Sequence, residues 1–249
     1  MTKHYYNCLL LALGIGVGYW YTWGWGYYLA LGLLFVGLLS WGVFDIRLGY
    51  FVPTLCRLKN KQKRQVVLTF DDGPTELTPL FLDLLKRYEV KAIFFCIGRQ
   101  IAQYPQIVQR IKEEGHLIGN HTYSHIPQNC FASTAVMTQE IQQTDALLAQ
   151  LGIVTPYFRP PYGVTNPHIA RAVRRTGKRV IGWDIQAGER TRKKKKEKEG
   201  GGGGGSGVVS KLTQGNIILM HDTSERTLHV LEQLLKYLKA NDYQVVLDL

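Results

Sequence analysis

From Tyr5 to Phe44 the chain runs 40 residues without a lysine, arginine, aspartate or glutamate, and four of its five tryptophans fall inside that stretch. No solvated surface element is built this way, and the length exceeds the roughly 20 residues that one bilayer span needs. Gly24-Trp25-Gly26 lies near its middle, which predicts a transmembrane hairpin of two short helices, residues 6–23 and 27–44. One long tilted helix, or a core hairpin in a soluble fold, are the alternatives. Tryptophan and tyrosine gather at the ends and the middle, as interfacial anchors do. The pattern of a cleaved signal peptide is not evident.

The flanks carry an orientation argument. Only Lys3 precedes the stretch, whereas Arg47, Arg57, Lys59, Lys61, Lys63 and Arg64 follow it, so the positive-inside rule places the remainder of the chain in the cytoplasm. Cys8, Cys56, Cys96 and Cys130 have no metal-ligand spacing and read as packing thiols without a disulfide. Residues 45–64 read as a basic juxtamembrane connector, and 65–249 as one domain with its own core.

Within that domain, short β-rich apolar runs alternate with helical patterns. The strand candidates are Val66–Phe70, Ala92–Ile97, Leu117–Gly119, Pro156–Phe158, Arg179–Trp183, Asn216–Met220 and Gln244–Leu247, with helices near 78–88, 104–114, 135–150, 166–176 and 226–240. Such alternation implies an α/β fold with a mainly parallel sheet: a distorted (β/α) barrel of about seven strands, or an open doubly wound sheet. Thr78-Pro79 and Asn166-Pro167 mark helix starts, a cap followed by a proline at the first helical position. Residues 192–206 break the pattern, since a lysine-rich run joined to a glycine run cannot pack as a barrel helix. That segment reads as a solvated loop, or as a reading-frame or sequencing fault or an engineered replacement.

The net charge of +11 raises a nucleic-acid or anionic-lipid partner. The basic residues concentrate at 57–64, beside the membrane stretch, and at 192–198, with no aromatics interleaved in the second run. Anionic lipid accounts for the first cluster, and no nucleic acid is expected.

The polar chemistry gathers at strand ends: Asp71 and Asp72 after the first, His121 and His125 after the third, Arg159 after the fourth, Trp183 and Asp184 at the fifth, and His221 at the sixth. In a parallel sheet or barrel these ends share one face, where active sites are built. Thr69-Phe-Asp-Asp-Gly-Pro74 sets two carboxylates side by side, an arrangement that a cation would stabilise. His121-Thr-Tyr-Ser-His125 offers two imidazoles that converge on one metal if the segment turns, with Thr122 and Ser124 placed to orient them. Arg159-Pro-Pro-Tyr-Gly163 is a stiff loop whose arginine can fork onto a carboxylate. His116, His168 and His229 have no such context and read as surface residues.

These segments resemble, in order along residues 65–249, the motifs of the polysaccharide deacetylases with a NodB homology domain, carbohydrate esterase family 4: Thr-Phe-Asp-Asp-Gly at 69–73, His-Thr-x-x-His at 121–125, Arg-x-Pro-Tyr at 159–162 and Leu-x-His at 219–221. The resemblance implies a distorted barrel and metal-dependent hydrolysis of N-acetyl groups on the amino sugars of a polysaccharide, oligosaccharide or lipid-linked glycan. It implies Asp72, His121 and His125 as ligands of a divalent metal, zinc first, with cobalt or nickel as substitutes. Asp71 is then the general base, His221 the general acid and Arg159 the holder of Asp71. The Tyr162 backbone N–H assists the oxyanion, and Trp183 and Leu219 line the acetyl pocket. The fourth motif departs from the family: in Trp183-Asp-Ile-Gln-Ala-Gly-Glu-Arg190 the acid that tunes His221 is Glu189, Asp184 or neither. That departure also allows a membrane-tethered relative that binds glycans without catalysis. Family members work mostly outside the cytoplasm, against the charge rule.

Overall fold

A computed structural model describes residues 2–59, 64–187 and 206–249. Glu189 and all but the last residue of the 192–206 run lie outside the described residues.

The charge-free stretch forms two antiparallel helices, α1 (Lys3–Trp20) and α2 (Trp25–Phe44), joined by a short turn. Glycines let them approach: a Cβ on Gly14 would meet the Leu31 side chain at 3.0 Å, and the Tyr27 hydroxyl donates to the Gly14 carbonyl at 2.9 Å. By length and composition α2 is long and apolar enough to cross a membrane.

After β1 (Thr54–Leu55), the domain alternates strand and helix as the periodicity predicts: β2 (Gln65–Asp71), α3 (Thr78–Arg87), β3 (Ile93–Cys96), α4 (Gly98–Gln103), α5 (Pro105–Glu113), β4 (Leu117–Asn120), α6 (Thr134–Gln150), β5 (Tyr157–Phe158), α7 (Pro167–Arg175), β6 (Arg179–Ile181), β7 (Ile185–Gln186), α8 (Ser206–Val209), β8 (Ile217–His221), α9 (Glu225–Ala240) and β9 (Gln244–Val245). The pairings among the described strands are parallel, in the order β1-β6-β5-β4-β3-β2-β8-β7, with β9 beside the start of β2. Read cyclically, β2 to β6 follow chain order and β8 returns to β2 with β7 outside it. That is a barrel order broken between β6 and β7; a doubly wound sheet would place β7 against β2. The curled sheet therefore matches the expected distorted barrel and not the open alternative.

Side chains alternate along each strand with period two. Val66, Leu68 and Phe70 of β2, Phe94 of β3, and Ile218 and Met220 of β8 face outward into the main core beneath α3, α5 and α9. There Phe70 stacks on Phe94 at 4.9 Å and meets Phe81 edge-on at 5.5 Å. The opposite set, Val67, Ile93, Phe95 and Ile217, fills the barrel interior. Because the interior set of β2 ends in Asp71 and that of β8 in His221, the same alternation aims both side chains into the barrel mouth.

The structure corrects several readings. Within the 45–64 connector, Ile46, Tyr50, Phe51 and Val52 are buried in a second core, and β1 adds a strand to the β6 edge. The cause is composition, since apolar residues between the basic ones face the sheet and leave the charges outside. Trp183 is not in a strand; β6 stops at Ile181 and the chain resumes pairing as β7. Asn166 caps α7, its Oδ1 accepting from the His168 and Ile169 amides, but Thr78 caps nothing and its hydroxyl serves the mouth of the barrel instead.

His116, expected on the surface, is 5% exposed, and its Nδ1 accepts the Ala92 amide at 3.1 Å. Burial, with Lys91 nearby, pushes its pKa down to about 4. The unfolded chain protonates this histidine near pH 6.5, so between 6.5 and 4 it binds more protons than the folded one and stability falls as the pH falls. Urea unfolding at pH 7 and pH 4.5 is expected to show a larger loss for the native sequence than for His116→Asn; equal losses would contradict this placement.

Candidate active site

At the mouth formed by the carboxyl ends of the strands, four residues sit on backbone that L-residues rarely adopt. Asp72 (φ 71°), Thr122 (φ 65°), His125 (φ 52°) and Tyr162 (φ 57°) all lie in the left-handed region. Each such residue costs on the order of 1 kcal/mol or more and persists only where its surroundings over-determine it. Here the surroundings are hydrogen bonds to buried groups.

The central one is Arg159, which is fully buried. Its guanidinium donates to the Asp71 carboxylate at 2.7 Å, the Thr69 hydroxyl at 2.8 Å, and the Ile181 and Gly182 carbonyls at 2.9 and 2.8 Å. It also lies 4.1 Å over the Phe95 ring. Burial lowers its pKa and Asp71 opposes that shift, while an arginine remains charged throughout. One Asp71 oxygen is thereby tied to a fixed cation; the other, Oδ2, lies 3.8 Å from His121 Nε2.

The Arg159 carbonyl accepts from His121 Nδ1 at 2.7 Å. A carbonyl can only accept, so the ring proton is on Nδ1 and Nε2 presents its lone pair to the mouth. His121 Nε2 and His125 Nε2 both converge on Asp72 Oδ1, at 3.4 and 3.3 Å. That oxygen is buried and has no hydrogen-bond donor. Burial pushes the Asp72 carboxyl up, but His121, His125 and His221 together hold it down at about 2. Burial and the charge of His121 lower the His125 pKa to about 4. Burial alone would lower His121 too, yet Asp71 and Asp72 raise it. An orphaned carboxylate oxygen facing two imidazole nitrogens, all three donors within 4.8 Å of one another, fits a divalent ion of the zinc class with coordination positions left open.

His221 completes the group, its Nε2 3.7 Å from Asp72 Oδ2. Leu219 precedes it on the interior face of β8 and is buried. Trp183 covers Gly163, where a Cβ would fall 2.7 Å from its ring, so the Arg159–Gly163 turn needs glycine here for close approach as well as for its φ of 68°. Tyr162 is exposed, with its ring 4.8 Å from that of His125 and its hydroxyl donating to the His125 carbonyl at 3.3 Å.

Two residues that organise the site escape sequence reasoning. Glu140, on α6 and nearly buried, accepts from the Tyr123 and Ser124 amides, the Ser124 hydroxyl and Asn129 Nδ2, and so fixes the turn between the two histidines. Asp222 is fully buried with Oδ1 unpartnered; its other oxygen accepts from Thr78, its carbonyl accepts from Thr75, and its carboxyl packs on Gly73. Burial raises its pKa to about 7. The Asp-Asp-Gly-Pro turn is thus latched to the residue after His221. Only the acid in His221-Asp222 was a signal, and an acid beside a histidine is too common to single out.

Two expectations are corrected. Thr122 and Ser124 do not touch the imidazoles: the Ser124 hydroxyl is held by Glu140 and the Thr122 hydroxyl has no partner, so the Arg159 carbonyl does the orienting. Asp184 cannot tune His221, because it sits before β7 and accepts from the Ile217 amide and Asn216 Nδ2 at the opposite end of β8. Glu189 lies outside the described residues.

With this geometry in place, the chain can be compared with known proteins. Residues 58–181 match the family model described as polysaccharide deacetylase. The chain is 35% identical to the peptidoglycan-N-acetylglucosamine deacetylase PgdA of Listeria monocytogenes, over 76% of this chain and 39% of that one. It is 31% identical to a peptidoglycan-N-acetylglucosamine deacetylase of Bacillus cereus, over 73% of this chain and 84% of that one. In structure it is similar to a family 4 carbohydrate esterase from Streptomyces lividans in complex with acetate, with TM-score 0.62, 27% identity, and 74% and 92% of the two chains covered. The strand-end acids, the paired histidines, the buried arginine and these similarities agree that the chain belongs to the polysaccharide deacetylase family.

Proposed function

We propose that this protein hydrolyses the N-acetyl group of amino-sugar residues in a glycan, and that it does so with a divalent metal. The observation that carries the reading is the convergence, at one mouth, of a carboxylate held by a buried arginine, a three-donor ligand set and a second-side histidine. N-acetylglucosamine in the names of the matched Listeria and Bacillus proteins supports the choice of sugar.

Asp72, His121 and His125 would hold the ion, zinc by the chemistry of the set, with cobalt or nickel as substitutes. When bound, such an ion supplies a Lewis acid that polarises an acyl oxygen and makes a water proton easier to remove. The remaining work belongs to the chain. Arg159 fixes Asp71 through Oδ1, which leaves Asp71 Oδ2 to take the proton of the attacking water. The Tyr162 backbone N–H, on its strained turn, serves the developing oxyanion. His221 protonates the departing amine nitrogen, without which an amide releases its amine poorly. Leu219 and Trp183 bound the acetyl methyl. The two apolar helices anchor this domain in a membrane, with Trp20, Trp23 and Trp25 at one interface and Trp41 at the other.

The test is acetate release from N-acetylglucosamine oligomers by the full chain loaded with zinc or cobalt. Asp71→Asn is expected to keep its metal and lose roughly 10²–10⁴ in turnover, the range for a missing general base. His121→Ala is expected to lose metal itself. Full activity in Asp71→Asn, or no acetate from folded and metal-loaded native protein, would overturn the reading.

Metal affinity carries its own pH signature. A metal displaces the proton from His121, whose pKa is raised, whereas Asp72 and His125 are already proton-free above about pH 4. Zinc affinity is therefore expected to fall about tenfold per pH unit once the pH lies below the His121 value, as one released proton requires. A slope near zero in competition titrations between pH 7.5 and 5 would contradict the assignment of His121 as a ligand.

A further inference from the structure

The helical hairpin is joined rigidly to the mouth of the barrel. Only Asp45 separates the end of α2 from a 3₁₀ turn at Ile46–Leu48, so the helix runs into the domain without a linker. Thr165, two residues past the Arg159–Gly163 turn, donates through its amide to the Val43 carbonyl at 3.0 Å and through its hydroxyl to the Gly42 carbonyl at 3.2 Å. The other helix is held as well: the His4 amide donates to the Tyr50 carbonyl at 3.2 Å, and Asn7 Nδ2 to the Tyr50 hydroxyl at 2.7 Å. The two helices are therefore hydrogen-bonded directly to the domain, one of them two residues from the catalytic turn.

The rim on that side is uncharged and carries exposed apolar side chains. Ile126 to Gln139 contains no lysine, arginine, aspartate or glutamate in a chain that carries 49 such residues among its 249. Ile126 directly follows His125, and the exposed Phe131 ring meets the exposed Phe44 ring, at the end of α2, with centroids 6.4 Å apart. Val136 and Tyr162 add exposed apolar surface to the same rim. The patch thus begins where the hairpin leaves the bilayer and ends at a residue of the ligand set. In water such a surface is costly, and at a bilayer interface the same aromatic and aliphatic groups are stabilised.

Resting on the deacetylase reading above, we infer that the mouth of the site sits on the membrane surface, with Ile126 and Phe131 seated in lipid, and that the substrate is an amino sugar carried on a membrane lipid. A domain hung on a flexible tether could reach a polymer some distance away; this one reaches only what is presented at headgroup depth. The lipid chains stay in the bilayer beside Phe44 and Phe131, and the sugar rises past Tyr162 to the Asp72-His121-His125 group. The chemistry at the acyl carbon is unchanged, water adding and acetate leaving while the amine takes up a proton.

The experiment uses the full metal-loaded chain in vesicles of phosphatidylethanolamine and phosphatidylglycerol. Acetate release is compared for an N-acetylglucosaminyl polyprenyl lipid embedded in those vesicles and for a water-soluble N-acetylglucosamine tetramer. The double substitution Ile126→Ser with Phe131→Ser is expected to lower kcat/KM for the lipid at least about tenfold, as loss of two buried apolar side chains implies, and to leave the tetramer within about twofold. Activity on the tetramer also reports that the variant is folded. Equal losses on both substrates, no loss on the lipid, or a native enzyme that prefers the tetramer would overturn the inference while leaving the deacetylase reading intact. Acetate from neither substrate would overturn both.

Discussion

The Arg159–Asp71 contact is the interaction on which the rest of the site depends. A guanidinium with no solvent exposure is tolerable only if its charge is matched and its N–H groups are used, and Asp71, Thr69 and the carbonyls of Ile181 and Gly182 meet that demand. Those four partners come from β2 and from the end of β6 and the residue after it, so one side chain ties the two sides of the curled sheet together across its interior. Its own carbonyl then fixes the His121 tautomer. Removing the Arg159 side chain would leave the buried Asp71 carboxylate without its guanidinium partner, while the backbone carbonyl that orients His121 would remain.

Around that centre the chain concentrates strain and relieves it with buried acids. Asp72, Thr122, His125 and Tyr162 adopt left-handed backbone, and the turns that hold them are secured by Glu140 on one side and Asp222 on the other. The arrangement brings three donor atoms together without a neutralising proton on Asp72, a state that is electrostatically favourable only with cations or a metal nearby. A site of this kind is preorganised by its supports rather than assembled on ligand arrival.

Much of this was legible in the sequence because the relevant signals are local. Alternation of period two ending in Asp71 and in His221 places both at the strand ends that share a face, and the His121 to His125 spacing brings two imidazoles together once the segment turns. What was not legible depends on contacts between distant segments. Glu140 is an unremarkable glutamate on α6 until its carboxylate meets the Tyr123 and Ser124 amides. Arg57 and its neighbours made residues 45–64 read as a basic connector, and Tyr50, Phe51 and Val52 within it are core residues. Asp184 stands one residue after Trp183, yet the break between β6 and β7 sends it to the far end of β8. His116 looked like a surface residue until the Ala92 amide was seen to donate to its ring.

The account turns on one claim, that Asp72, His121 and His125 hold a single divalent ion beside an Asp71 kept in place by Arg159. Anomalous diffraction at the zinc edge from crystals of the zinc-loaded chain tests it most directly. The account predicts one strong peak within bonding distance of Asp72 Oδ1 and of both Nε2 atoms, with Asp71 still on Arg159. A peak elsewhere, or one at which Asp71 has left Arg159 to become a ligand, would contradict it.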